Sequence, residues 1–262
     1  MTRTVLTVLL LTAFGAPASA DVTIKQTNTG KGMGMSGTMP STTFIAGLKM
    51  RTETVMDDTT RVTIFDVANQ KMYAFDSKKK EVDVWDMQAF AAEMGKSVDT
   101  SAMTASVKAN GQTRQIAGRA ASGYDMEIAV PATMGGPTGP KMTVKLIGPM
   151  WVVKDAPGTR EYMAFYKAAV DKGWIFSDPR AAKGSPGQAK AMAQMYKQLA
   201  ETGGVPYETE MQIKMDGEGP MAAMMAKMGG MTMTTSVQSV DTGALADDLF
   251  TPPAGYKLND RK

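Results

Sequence analysis

Apolar and polar residues alternate in short runs along most of this chain. From Asp21 to Thr27 the apolar Val22 and Ile24 are separated by polar neighbours, the period-two pattern of a half-buried strand. Residues 42–56 (TTFIAGLKMRTETVM) continue it with Leu48, Met50 and Thr52 on one side, and predict one longer strand or a pair. RVTIFD (residues 61–66), KMYAFD (71–76) and EVDVWD (81–86) follow in quick succession. Polar connectors, Ala68-Asn69-Gln70 and residues 77–80, divide them, so this stretch predicts an antiparallel meander.

The period then changes. Residues 87–95 (MQAFAAEMG) are helix formers that stop at a glycine, and predict a short helix. Two longer helices are expected at 161–170, where Tyr162, Phe165, Tyr166 and Ala169 share a face, and at 188–199, where Met192, Met195, Tyr196 and Leu199 do. Strands are expected at 105–116, 122–130, 142–153, 208–215 and 232–240, with loops at the glycine-rich residues 30–37 and 131–140 and a connection at 178–187. No repeat is found. Many antiparallel strands with a few late amphipathic helices imply a bent sheet whose concave face the helices fill, with an apolar cleft between them.

The first twenty residues carry a different pattern. Arg3, an apolar run from Val5 to Phe14 and Ala18-Ser19-Ala20 form the charged, apolar and small-residue regions of a secretory signal peptide, with Asp21 as the expected mature N-terminus. The apolar run is too short to span a membrane. These features predict an exported, soluble, periplasmic protein, with residues 21–262 forming one domain. The sequence has no cysteine, so neither a disulfide nor a lipid-bearing cysteine enters the picture.

Histidine is also absent, which removes Ser-His-Asp and Cys-His catalysis and His-ligated zinc. Lys and Arg number 29 against 26 acidic residues. That near-balance argues against a nucleic-acid partner. Lys78-Lys79-Lys80 falls where a solvated hairpin turn is expected.

Three segments, taken in order, resemble a known family. They are Ile116-Ala117-Gly118 followed by Gly123-Tyr124-Asp125-Met126-Glu127, then Gly204-Val205-Pro206-Tyr207-Glu208-Thr209-Glu210, and the ending Asp248-Leu249-Phe250-Thr251-Pro252-Pro253-Ala254-Gly255-Tyr256-Lys257. Together they are similar to the exported lipoprotein-localisation-factor-like (LolA/LppX-like) superfamily, in its domain-of-unknown-function branch, over residues 21–258. The resemblance implies a mainly β (α+β) fold, a half-open antiparallel β-barrel wrapped over a few amphipathic helices. It also implies a hydrophobic cavity and a non-catalytic carrier role. Where members of that branch often have a cysteine, this chain has Ala120-Ala121-Ser122.

Methionine, with 25 residues, is the compositional outlier. Clusters at Met33, Met35 and Met39 and at Met221, Met224, Met225, Met228, Met231 and Met233 admit three readings: core packing, an adaptable apolar surface, or thioether ligands for Cu(I). The insertion at residues 219–230 has the spacing of a short apolar helix that packs on the rim or covers it. Gly32-x-Gly34-x-x-Gly37 matches the dinucleotide fingerprint by letter, but a strand-like segment follows it where a helix is required, and no cofactor is expected. Glu208 and Glu210 should share a solvent face, with Tyr207, Thr209 and Met211 inside, and no acid is paired with a nucleophile, so an enzyme is not expected.

The aromatics Phe44, Phe65, Phe75, Trp85, Phe90, Trp151, Phe165, Tyr166, Trp174 and Phe176 are expected inside the cavity or at its mouth. A ligand would meet Trp85, Trp151, Phe165, Trp174, Met192, Met195 and Leu199. The leading expectation is a carrier for a hydrophobic small molecule or lipid. A methionine-cluster copper protein and an envelope protein that binds another protein are the alternatives.

Overall fold

The computed structural model describes residues 20–32, 35–96, 103–133, 141–174, 186–217 and 230–261. Residues 1–19 of the expected signal peptide, Met33, residues 134–140 of the expected loop, Phe176, residues 178–185 of the expected connection and Met221, Met224, Met225 and Met228 lie outside the described residues; residues 131–133 and 186–187, expected in that loop and that connection, are strand and helix. Twelve strands are present among those described: β1 (Val22–Gly32), β2 (Met35–Ala46), β3 (Lys49–Met56), β4 (Thr59–Asp66), β5 (Lys71–Asp76), β6 (Glu81–Asp86), β7 (Thr104–Ile116), β8 (Arg119–Thr133), β9 (Lys141–Val153), β10 (Val205–Gly217), β11 (Met231–Thr242) and β12 (Lys257–Arg261). The helices are α1 (Met87–Lys96), α2 (Thr159–Asp171) and α3 (Pro186–Glu201), with a 3-10 turn at Asp247–Phe250.

The strands form one sheet in the order β12-β6-β5-β4-β3-β2-β1-β11-β10-β9-β8-β7. Every neighbouring pair is antiparallel except β12 and β6, which run parallel. The edge strands β7 and β12 do not meet. The fold is therefore a half-open antiparallel barrel holding helices, an α+β architecture.

Turn chemistry explains several of the connections. At the Ile116-Ala117-Gly118 step Ala117 has φ 50° and Gly118 φ 74°, the two positive values that a two-residue hairpin turn requires. Asp86 opens α1 as its cap, its Oδ1 accepting the Ala89 amide at 2.9 Å. Helix α2 closes on Gly173, φ 71°: the Gly173 amide donates to the Val170 carbonyl at 2.8 Å and the Trp174 amide to the Ala169 carbonyl at 3.0 Å. These two hydrogen bonds, formed around a left-handed glycine, anchor Trp174 under the helix end. Residues 30–32 and 35–37, expected in a loop, are strand. Gly30 pairs with Gly37 and Gly32 with Met35, because the β1–β2 ladder continues through them.

The sheet has apolar side chains on both faces. On the concave face Ile45, Met50, Phe65, Met72 and Trp85 meet Phe90 of α1 and Tyr162, Phe165 and Ala169 of α2. A neighbouring cluster joins Met126, Ile128, Leu146, Met150 and Val152 to Ala191, Met195 and Leu199 of α3. On the convex face Val62, Ile64, Phe75, Val82 and Val84 enclose Phe250, with Phe44, Leu245, Leu249 and Tyr256 packed around them. Phe44 and Phe75, expected at the cavity, lie instead beneath the C-terminal tail. Arg51 fastens that tail, its guanidinium donating to the Leu249 carbonyl at 2.9 Å. The tail then runs on as β12, where Arg261 donates to Asp83 at 2.7 Å.

Candidate functional site

Helices α2 and α3 pack on each other inside the sheet, and α3 also rests on β7 and β8. The Gln198 side chain ties α3 to the edge strand: its Nε2 donates to the Ala105 carbonyl and its Oε1 accepts the Val107 amide, both at 2.5 Å. Two backbone groups of an edge strand are thereby satisfied and the helix is held in one register. Between these helices and strands β1, β2 and β8 to β11 is a cleft of about 490 Å³. That volume lies within the ~300–1,000 Å³ usual for ligand pockets.

The helix wall of the cleft is apolar and aromatic. Ala189, Met192, Met195 and Leu199 of α3 face it, together with Tyr162 and Tyr166 of α2 and Tyr196 of α3. The tyrosines form a continuous group, with Tyr166 4.6 Å from Tyr162 and 5.6 Å from Tyr196 between ring centroids. Burial, and secondarily their mutual proximity, raises the pKa of Tyr162 and Tyr166; burial raises that of Tyr196. All three hydroxyls therefore stay neutral at ordinary pH.

The sheet floor differs. Ile24, Met126, Leu146, Met150, Met211 and Ile213 are apolar, but Gln26, Asn28, Thr43, Thr209 and Thr235 also face the cleft. In register, Asn28 lies opposite Thr235, and Thr235 opposite Thr209. This makes one polar rung across three strands. The Thr235 hydroxyl donates to Asn28 Oδ1 at 2.9 Å. Six methionines, Met126, Met150, Met192, Met195, Met211 and Met233, border the same space.

The residues expected from sequence are divided by the fold. Met192, Met195 and Leu199 line the cleft. Trp85, Phe165 and Trp174 are at most 3% exposed and belong to the main core, where Trp174 packs 6.3 Å from Phe65. Trp151 points to the opposite face from Met150, because successive side chains of a strand alternate. The Arg114 guanidinium lies 4.1 Å over its ring, and Arg114 pairs with Glu208. Glu208 and Glu210 thus keep to the outer face while Thr209 and Met211 face inward. Of the metal-site candidates, Met231 and Met233 are described and start β11, and Met233 borders the cleft.

Tyr162 and Tyr196 were expected on the apolar helix faces and Thr209 inside, but none of them, and neither Asn28 nor Thr235, was expected to meet a ligand. A signal was present: Gln26 and Asn28 continue the inward parity of Val22 and Ile24, and polar residues on an inward parity mark either a wet interior or a site. The Gly32-x-Gly34-x-x-Gly37 stretch has strand on both sides, with no helix N-terminus to receive a pyrophosphate. Among the described residues no group of three or more acidic residues is placed to hold a metal ion.

No protein-family model and no curated protein matches the chain. Solved structures similar to it include the LolA superfamily protein NE2245 from Nitrosomonas europaea, 6% identical with a TM-score of 0.31, covering 89% of this chain and 91% of that one. A DUF1329 family protein from Desulfovibrio piger is 10% identical with a TM-score of 0.32, covering 90% and 91%. PNGF-II is 11% identical with a TM-score of 0.38; the match takes in 92% of this chain but 31% of PNGF-II. The superfamily and a domain-of-unknown-function family of the kind the motifs resemble are both represented.

Proposed function

We propose that this chain is a non-catalytic periplasmic carrier that shelters a hydrophobic ligand, a lipid or an acyl chain, in the cleft between α2, α3 and the sheet, with residues 21–262 acting as one domain. The observation that carries the reading is the cleft itself, about 490 Å³ in volume and walled by Met192, Met195 and Leu199. Unbranched, polarizable thioethers adjust to ligands of varied shape at little cost. The signal-peptide pattern of the first twenty residues supports an exported location, and no described helix is long and apolar enough to cross a membrane.

Placing two carboxylates in the apolar wall tests the reading. Met192→Asp with Met195→Asp should abolish binding of a fluorescent lipid while far-ultraviolet dichroism keeps the strand signal. Unaltered lipid binding would remove the assignment.

One observation favours a second reading, Cu(I) capture: six thioethers border one space, and thioethers are soft ligands suited to that ion. Titration with Cu(I) against a competing chelator separates the two. Tight copper uptake lost in the Met192, Met195 and Met211 to Leu variant would favour the metal.

A further inference from the structure

We propose that the molecule held in this cleft is an amphiphile whose buried polar group is uncharged, an ester, hydroxyl or amide, bound on the rung formed by Asn28, Thr235 and Thr209 with Gln26 beside it. The proposal rests on the carrier reading and adds the chemical class of the ligand.

Three features lead to it. First, the rung is placed at a definite depth. Its mouth-side neighbours in register are Gly30, Met233 and Met211, and Met233 is 41% exposed, while the deeper flank includes Ile24 and Val205. Polar groups between two apolar bands are costly in a hydrocarbon-filled cleft unless something hydrogen-bonds to them.

Second, the fold itself uses only part of their capacity. Thr235 and Asn28 bond to each other, and Thr43 bonds to Thr52 at 3.3 Å, but the side chains of Gln26 and Thr209 have no hydrogen-bond partner among the described residues. The Gln26 amide offers donors and an acceptor, and the Thr209 hydroxyl one donor and two lone pairs. An ester, hydroxyl or amide matches that set.

Third, no Lys, Arg, Asp or Glu is among the described residues lining the cleft. The basic and acidic groups of β10, such as Glu208, Glu210 and Lys214, belong to its outward parity. A carboxylate or phosphate drawn to this depth would shed its water and find no counter-charge. Neutral donors do not repay that cost.

The experiment compares ligands with one chain length and different heads on the mature protein. A monoacylglycerol and the corresponding fatty-acid carboxylate are titrated separately at about pH 8, where the carboxyl is ionised, against a bound fluorescent apolar dye. The monoacylglycerol should displace the dye at a concentration at least about tenfold lower, a difference worth ~1.4 kcal/mol. In the Asn28→Leu, Thr209→Val variant that advantage should vanish while the dye still binds.

Equal displacement by the two lipids overturns the uncharged-head proposal and leaves the carrier reading in place. An advantage that survives in the double variant overturns the rung assignment. Failure of both lipids and the dye to bind the wild type removes the carrier reading as well. Should the double variant fail to fold, Gln26→Leu in its place must reduce the advantage for the proposal to stand.

Discussion

Removing the Phe250 side chain tests whether the convex face is a true second core. Phe250 is 3% exposed and packed among Val62, Ile64, Phe75, Val82 and Val84, none of which takes part in the helix-filled interior. A buried Phe→Ala change costs about 3–5 kcal/mol when its surroundings cannot collapse into the space. Against a total stability of about 5–15 kcal/mol that is a large share. Phe250→Ala should therefore lower the unfolding free energy by about 3 kcal/mol, read as a lower urea midpoint with an unchanged slope.

A second perturbation distinguishes docking from packing. Arg51 reaches the same tail through the Leu249 carbonyl, so Arg51→Met combined with Phe250→Ala should cost less than the sum of the two alone. Binding of a fluorescent lipid to the cleft, on the opposite face, should persist in both variants. A loss below about 1 kcal/mol for Phe250→Ala would show that the tail contributes little to the fold, and would refute the reasoning.

Three further outcomes are expected. Ala117→Asn, at φ 50° in the β7–β8 turn, should raise stability by about 1 kcal/mol, read as a melting temperature higher by a few degrees; no gain would mean the alanine is unstrained there. Gly158→Ala should cost about 2 kcal/mol or more in urea unfolding, because Gly158 has φ 67° and an added Cβ would fall 2.3 Å from Val22 Cγ2. The stability contributed by neutral Tyr162, Tyr166 and Tyr196 is fully present below the ordinary tyrosine value of 10.0 and is lost as pH rises toward their higher folded values, so the melting temperature should fall above about pH 10. Tyr166→Phe should flatten that fall, and an equally steep decline in the variant would rule out this origin.

Much of the fold is legible because its segments obey one period. RVTIFD, KMYAFD and EVDVWD alternate cleanly, and their turns are short and polar, so β4, β5 and β6 fall where the pattern places them. The Met192, Met195 and Leu199 stripe was equally plain, since a helix face is a local property. Faces of the sheet were harder to assign. Phe75 and Trp85 read alike as large apolar strand residues, yet the register puts Phe75 under the tail and Trp85 against the helices. A sheet with apolar side chains on both faces gives no local sign of which faces inward.

β12 was missed for a related reason. LNDR within Lys257–Arg261 has no alternation of its own, and the strand exists because β6 offers a free edge and Asp83 and Glu81 offer partners to Arg261 and Asn259. The polar rung escaped notice because Asn28, Thr235 and Thr209 are far apart in the chain. Only the β1–β11–β10 register brings them side by side.

Strand β1 sits at the middle of the sheet, yet its neighbour β11 is among the last strands to be made, so that Val22 faces Thr242. Closing so wide a loop is entropically unfavourable until many other contacts exist. The two halves of the barrel can each assemble from nearby hairpins, but the cleft floor is completed only when this seam zips. One margin of the first hairpin therefore stays unpaired until β11 arrives, and the cleft takes its final shape only at the last step of folding.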